Sequence, residues 1–190
     1  WSDSTGWAWA RNAPFRHYKQ NQFEGGIATP AIVHWPAGIT APQGTLVHEP
    51  AHLVDVLPTL VEIAGAEPPA AFPGREPSPL AGVSLKPLLE GGSLGARPPI
   101  HFLFAADRAI RDGDWKLVSF QSQPWELYRI DQDRTELHDL AAEHPEIVTR
   151  LSRQWHEMAA HVLRATPKES APVAATATGQ VHREWSDYSG

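Results

Sequence analysis

Three basic side chains, Arg16, His17 and Lys19, stand close together in the stretch PFRHYKQNQFEGGIATPAIVHWP. The pair Gly25-Gly26 follows them, and then the apolar run AIVHW, which ends at Pro36. A cation delivered beside a glycine turn at the mouth of a strand is one way to meet an anion. Lysine suits a tetrahedral oxyanion such as sulfate or phosphate, because its ammonium is a compact point charge on a flexible stem. A loop lysine is equally at home in water, so the local context leaves both roles open.

Two other stretches imitate metal sites. His48 to His52, HEPAH, fits the letter of the zinc-peptidase pattern H-E-x-x-H. That chemistry needs both imidazoles on one helical turn. Pro50 is tolerated only in a first turn, and the preceding APQGTLV is loop-like, so the match reads as coincidence. Asp131, Asp133 and Glu136 in DQDRTE imitate the start of a calcium loop. Such a loop needs glycine at its sixth position and a bidentate glutamate at its twelfth, where this chain has Glu136 and Ala142. The stretch reads as a polar turn between a strand and a helix. Among the histidines, His34 and His101 fall in strand-like runs and read as structural, while His156 and His161 fall off the apolar stripe of the last helix, where a solvated face explains them. No Ser-His-Asp set is legible, because such triads form in space rather than in sequence.

The elements that must position these residues follow from periodicity. AIVHW, bounded by turn residues, predicts a buried strand over 31–35. In AHLVDVLPTLVEIAG, residues Leu53, Leu57, Leu60, Val61 and Ala64 recur at helical spacing and predict one core-facing stripe. Asp55 is the expected N-cap, Pro58 suits the first turn, and Gly65 closes the helix. The proline-rich segment 66–82 predicts an extended surface loop, and VSLKPLLEGG a short helix or turn. From Pro98 the runs IHFLFA, RAIR, WKLVSF and WELYRI predict four short strands. RDGDW between the second and third is a hairpin signal, since Asp-Gly accepts the positive φ of a tight turn. A helix then opens at Pro145, with Ile147, Val148, Leu151, Trp155, Met158 and Val162 on one face. Antiparallel strands followed by one amphipathic helix make a small α+β unit. The segment beyond Arg164, ATPKESAPVAATATGQ, has the composition of a disordered tail.

Bulk composition narrows the function. A net charge of −6 argues against a nucleic-acid partner, which demands a basic face. No run of 18 apolar residues predicts a membrane span. With no cysteine, the chain holds no disulfide, thiolate metal site or cysteine nucleophile. The opening WSDSTGWAWARNAPF has neither the charged nor the apolar region of a signal peptide, nor an initiator Met, and reads as part of something longer.

Several blocks occur in order and in register: NAPFRHYKQNQFEGGIATPAIVHWPAGI, HLVDVLPTLVEIAG, PLAGVSLKPLLEGG, RAIRDGDWKLV, ELYRIDQDRTELHDLA and the helix after HPE. Together, from about Asn12 to Val162, they resemble the C-terminal third of arylsulfatases, the type I sulfatases of the alkaline-phosphatase superfamily. The resemblance implies an α/β fold class: the C-terminal part of an alkaline-phosphatase-like sulfatase domain plus a small antiparallel sheet packed by a C-terminal helix. Residues 1–97 would close the large catalytic domain, 98–164 would form the small subdomain, and 165–190 a disordered tail. The implied activity is hydrolysis of a small-molecule or carbohydrate sulfate ester. In the family a formylglycine, made from the first residue of C/S-x-P-x-R, attacks sulfur. A calcium ion polarises the sulfate, and lysines and histidines neutralise oxygen charge. Lys19 matches the family lysine of PFR-x-YK that contacts the sulfate, which makes it the expected catalytic residue.

Neither C/S-x-P-x-R nor the Asp-Asn-Gly metal motif occurs in this chain. Calcium and formylglycine are therefore expected from an N-terminal part, with no cofactor or metal ligand expected here. The 190 residues alone are expected to be catalytically silent and to expose apolar surface. Relatives often carry EGGIR where this chain has Ala28. They also often carry a Glu-His pair and an Asn where it has Leu103, Phe104 and Asp107, in a region that borders the substrate mouth. A phosphonate or phosphate ester hydrolase of the same superfamily, and a non-catalytic anion- or partner-binding domain, stay open as alternatives.

Overall fold

The computed structural model describes residues 4–68, 71, 73–74 and 79–163. Its centre is an antiparallel meander of β1 (Ile100–Phe104), β2 (Asp107–Asp112), β3 (Trp115–Ser119) and β4 (Glu126–Arg129), paired in that order. The RDGDW turn joins β2 to β3, with Gly113 at φ 59° and Asp112 opposite Trp115. The period-two pattern gives the sheet two buried faces. Ile110, Leu117 and Leu127 meet Leu151, Trp155 and Ala159 of a long helix over Pro145–Leu163. On the opposite face Ala109, Val118 and Tyr128 pack with Ile130 and with Phe23 from the N-terminal part. The apolar stripe of the helix differs from expectation at its far end. It turns through Ala159, while Val162 is exposed, because the sheet's side chains reach the helix only that far. His156 is not simply solvated either: its ring packs edge-on at 5.1 Å from Trp155 and 6.4 Å from Trp125.

Among the described residues four shorter helices precede the sheet: α1 (Thr5–Asn12), α2 (Glu24–Ile27), α3 (Val56–Ile63) and α4 (Lys86–Leu89). The helix packed on the sheet is α5. Two expectations are corrected in this region. Residues 31–35 form no strand, and Ile32 is 95% exposed. An apolar run becomes a strand only when neighbouring strands take its backbone N–H and C=O groups, and no described strand lies beside it. The helix α3 forms, preceded by a 3₁₀ turn over Leu53–Asp55 and ended by Gly65 at φ 61°. Its apolar stripe nevertheless faces outward, with Leu53 81% and Leu60 57% exposed.

The inward side of α3 is polar. Asp55 is fully buried, and its carboxylate takes a bidentate pair from Arg97 at 2.9 and 3.1 Å. It also accepts the backbone N–H groups of Val83 and His52. Asp55 stands at the expected N-cap position of α3, but its side chain makes no capping bond to that helix; His52 caps the 3₁₀ turn, and Asp55 answers it in a reciprocal capping box. One turn on, the Thr59 hydroxyl donates to the Asp55 carbonyl and accepts the Leu85 N–H. These bonds tie the chain around 83–97 to α3. The expected loop at 66–82 falls partly, and the expected tail at 165–190 wholly, outside the described residues.

The glycine pair acts through close approach rather than flexibility. Gly25 and Gly26 lie in the single turn of α2, and the Gly25 N–H donates to the Arg16 carbonyl at 3.0 Å. A Cβ on Gly25 would overlap the carbonyl oxygens of Arg16 and His17, and one on Gly26 those of Asn21 and Tyr18. Gly26→Ala is therefore expected to lower stability by about 1–3 kcal/mol, the usual cost of overpacking. Gly6→Ala, with open space around it, should be near neutral. Thermal unfolding of the two variants side by side checks this; equal melting temperatures would contradict the packing described.

Candidate active-site turn

The chain between Arg16 and Glu24 sends its three basic residues to three different fates. Arg16 is spent on structure. Its Nη1 donates to Glu126 Oε2 at 3.0 Å, to the Tyr128 hydroxyl at 2.8 Å and to the Glu136 carbonyl at 2.9 Å. Its guanidinium also lies 4.1 Å from the centre of the Phe23 ring. The Tyr128 hydroxyl donates onward to Glu126, and burial together with that carboxylate pushes the phenol above its ordinary range. His17, at φ 57°, is a wedge: its ring stacks on Phe23 at 4.8 Å and on Phe120 at 4.9 Å. Burial, and then the Arg16 charge, hold its pKa below the ordinary imidazole value, so it is neutral at pH 7.

Lys19 is the third. The Tyr18 carbonyl accepts both the backbone N–H of Asn21 at 3.2 Å and its side-chain amide at 3.1 Å, closing a β-turn. Lys19 and Gln20 occupy its central positions, with Gln20 at φ 83°, a conformation that favours glycine. Lys19 is exposed there and makes no hydrogen bond or ion pair with any described residue. What this arrangement offers chemically is a free ammonium at the tip of a turn whose flanks are fixed.

The far flank is fixed by a buried charge cluster that the sequence did not announce. Lys116, wholly buried in β3, places Nζ 3.0 Å from Glu24 Oε1 and 2.8 Å from Glu136 Oε1. Glu136 Oε2 also accepts the Glu24 N–H at 2.7 Å, and Arg134 approaches Glu24 at 3.3 Å. One ammonium cannot serve two buried carboxylates equally. Burial alone would raise the Glu24 carboxyl, but Lys116, with Arg111 and Arg134 behind it, holds it below the ordinary range. Burial keeps the Glu136 carboxyl above that range, since Lys116 offsets it incompletely and Glu24 repels it. The available signals were a lysine at an alternating position of a buried strand and a glutamate directly before Gly-Gly.

HEPAH is not helical: Glu49 accepts the Leu94 N–H, and His52 serves as the cap described above. DQDRTE is a turn in which Asp131 pairs with Arg129 and Asp133 accepts the N–H groups of Leu137 and His138. Among the described residues no three His, Asp or Glu side chains converge as a metal site. Among the described residues, then, no such cluster is available to a calcium ion.

Asp55 and Glu24 are two buried carboxyls that contribute to the acid response. At Asp55, burial would raise the carboxyl, but the Val83 N–H, Arg97 and the His52 N–H together hold it low. Both groups bind protons less tightly folded than unfolded. Their stabilisation is present above the ordinary carboxylate range, about 4, and is lost as pH falls through their lower folded values. Glu136, shifted up, acts in the opposite sense and offsets part of that loss. Urea midpoints are expected to fall as pH drops from about 5 toward 3, with a shallower fall in Asp55→Asn. A pH-independent midpoint would contradict the assignment.

The chain that carries this turn and this sheet matches known proteins over most of its length. Residues 15–161 match the family described as N-sulphoglucosamine sulphohydrolase, C-terminal. An uncharacterized sulfatase of Schizosaccharomyces pombe is 34% identical over 161 residues, 78% of this chain and 28% of that protein. The N-acetylgalactosamine-6-sulfatase of Canis lupus familiaris is 32% identical over 119 residues, 62% of this chain and 21% of that one. The crystal structure of Ps i-CgsB superposes with a TM-score of 0.66 at 27% identity, over 77% of this chain and 32% of its own. The chain belongs to the sulfatase family and corresponds to its C-terminal portion. It spans less than a third of the length of each of these relatives. No described helix is long and apolar enough to cross a membrane.

Proposed function

We propose that the protein carrying this chain hydrolyses sulfate esters and that Lys19 holds an oxygen of the ester's sulfate. The observation behind this reading is the division of labour in PFRHYK: Arg16 and His17 are consumed by the fold, while Lys19 is left exposed and unpaired among the described residues. The sulfate group is anionic from the start, and further negative charge gathers on its bridging oxygen as the S–O bond to the alcohol breaks. An ammonium already in place meets that charge without reorganisation, which is how preorganised electrostatics lowers a barrier. Calcium and the formylglycine nucleophile would be supplied by residues outside this chain.

The outward apolar residues Ile32, Leu53, Leu57 and Leu60 support a second part of the reading. Residues 1–97 belong to a large α/β catalytic domain whose remainder covers them, and 98–164 form a small C-terminal subdomain. The substrate is a small-molecule or carbohydrate sulfate ester; a sugar ester is favoured by the name of the N-acetylgalactosamine-6-sulfatase relative. Assay of the full-length protein on 4-nitrophenyl sulfate and 4-nitrophenyl phosphate tests the reaction class. Faster turnover of the sulfate is expected. Preference for the phosphate, or turnover of neither, would overturn it.

A further inference from the structure

We infer that Glu136 is a positioning residue for Lys19, joining the two anchors of the turn that presents it; this rests on the reading of Lys19 as a sulfate ligand. The segment between Arg16 and Glu24 has no regular structure of its own, and the tip side chain has no described partner. Its placement therefore depends on how its two ends are held.

Glu136 serves both ends. Its carbonyl accepts Arg16 Nη1 at 2.9 Å on the N-terminal side of the turn. On the C-terminal side its carboxylate accepts the Glu24 N–H through Oε2 at 2.7 Å, and its Oε1 lies 2.8 Å from the Lys116 ammonium that also holds Glu24. A φ of 56° lets one residue turn its carbonyl and its side chain toward two different segments. The Gly25 N–H bond to the Arg16 carbonyl then closes the loop on itself. Buried ion clusters are weak sources of stability, and fixing register is the best-attested reason to keep one. Here the register fixed is that of the lysine turn on the sheet.

The test is a double-mutant cycle in the full-length protein, read as kcat and KM on a sulfate ester. Glu136→Ala leaves Lys116 paired with Glu24, so the fold keeps a balanced pair. It should lower kcat by about ten-fold or more with little change in KM, the signature of a displaced catalytic group. Glu136→Gln, which keeps an acceptor for the Glu24 N–H, should recover most of that loss. In a Lys19→Ala background the Glu136→Ala effect should disappear, because there is no ammonium left to misplace. If Glu136→Ala does not fold, Tyr128→Phe loosens the Arg16 anchor instead, and its effect should likewise vanish without Lys19. A Glu136→Ala or Tyr128→Phe loss that persists in full without Lys19, or an unchanged kcat, overturns the positioning role. A Lys19→Ala single variant with wild-type kcat overturns the sulfate-ligand reading itself.

Discussion

Lys19→Ala in the full-length protein is expected to lower kcat for a sulfate ester by about 10²–10³-fold, the range seen when one preorganised oxyanion contact is removed. Folding should scarcely change. The side chain is exposed and makes no described contact, and surface substitutions of that kind stay within about 0.5 kcal/mol. The contrast between the two readouts is what identifies the role. Arginine should not substitute fully, because its planar fork presents donors differently from a compact ammonium. Parallel losses of turnover and melting temperature would mark Lys19 as a structural residue.

The largest effect on stability is expected at the pair formed by Asp55 and Arg97. Arg97→Met strands a carboxylate that has no exposure to water, and breaking one side of a buried pair costs about 3–5 kcal/mol. Two backbone N–H donors, from Val83 and His52, still reach that carboxylate, which places the expected value toward the lower end. Converting both partners, Asp55→Asn with Arg97→Met, removes the stranded charge. It should be less destabilising than the sum of the single changes. Denaturant unfolding of the three variants measures this. Additive losses would show that the pair is not coupled.

How much of this was legible follows from what each residue needs around it. The four strands and α5 were readable because alternation, an Asp-Gly turn and a helical stripe are local signals whose partners lie within the next few dozen residues. AIVHW and the apolar stripe of α3 depart from expectation for one shared reason, although α3 itself forms as expected. Their residues have core composition, but burial needs a covering element, and none of the described segments covers Ile32, Leu53 or Leu60. The buried charges Asp55, Glu24, Lys116 and Glu136 were invisible because a charge in sequence defaults to solvent. Only tertiary pairing makes their burial tolerable. Lys19 stands out from Arg16 and His17 in the sequence only through the family resemblance, and it lies exposed on its turn. Their division became readable only once Phe23, Phe120, Glu126 and Tyr128 were seen to claim the other two.

The most direct measurement is a crystal structure of the full-length protein with inorganic sulfate or an uncleaved sulfate ester in its catalytic cleft. Lys19 Nζ should lie within about 2.7–3.2 Å of a sulfate oxygen, ordinary hydrogen-bond range. An Nζ turned away from the bound anion, or locked in an ion pair with a carboxylate elsewhere in the protein, would contradict its assignment.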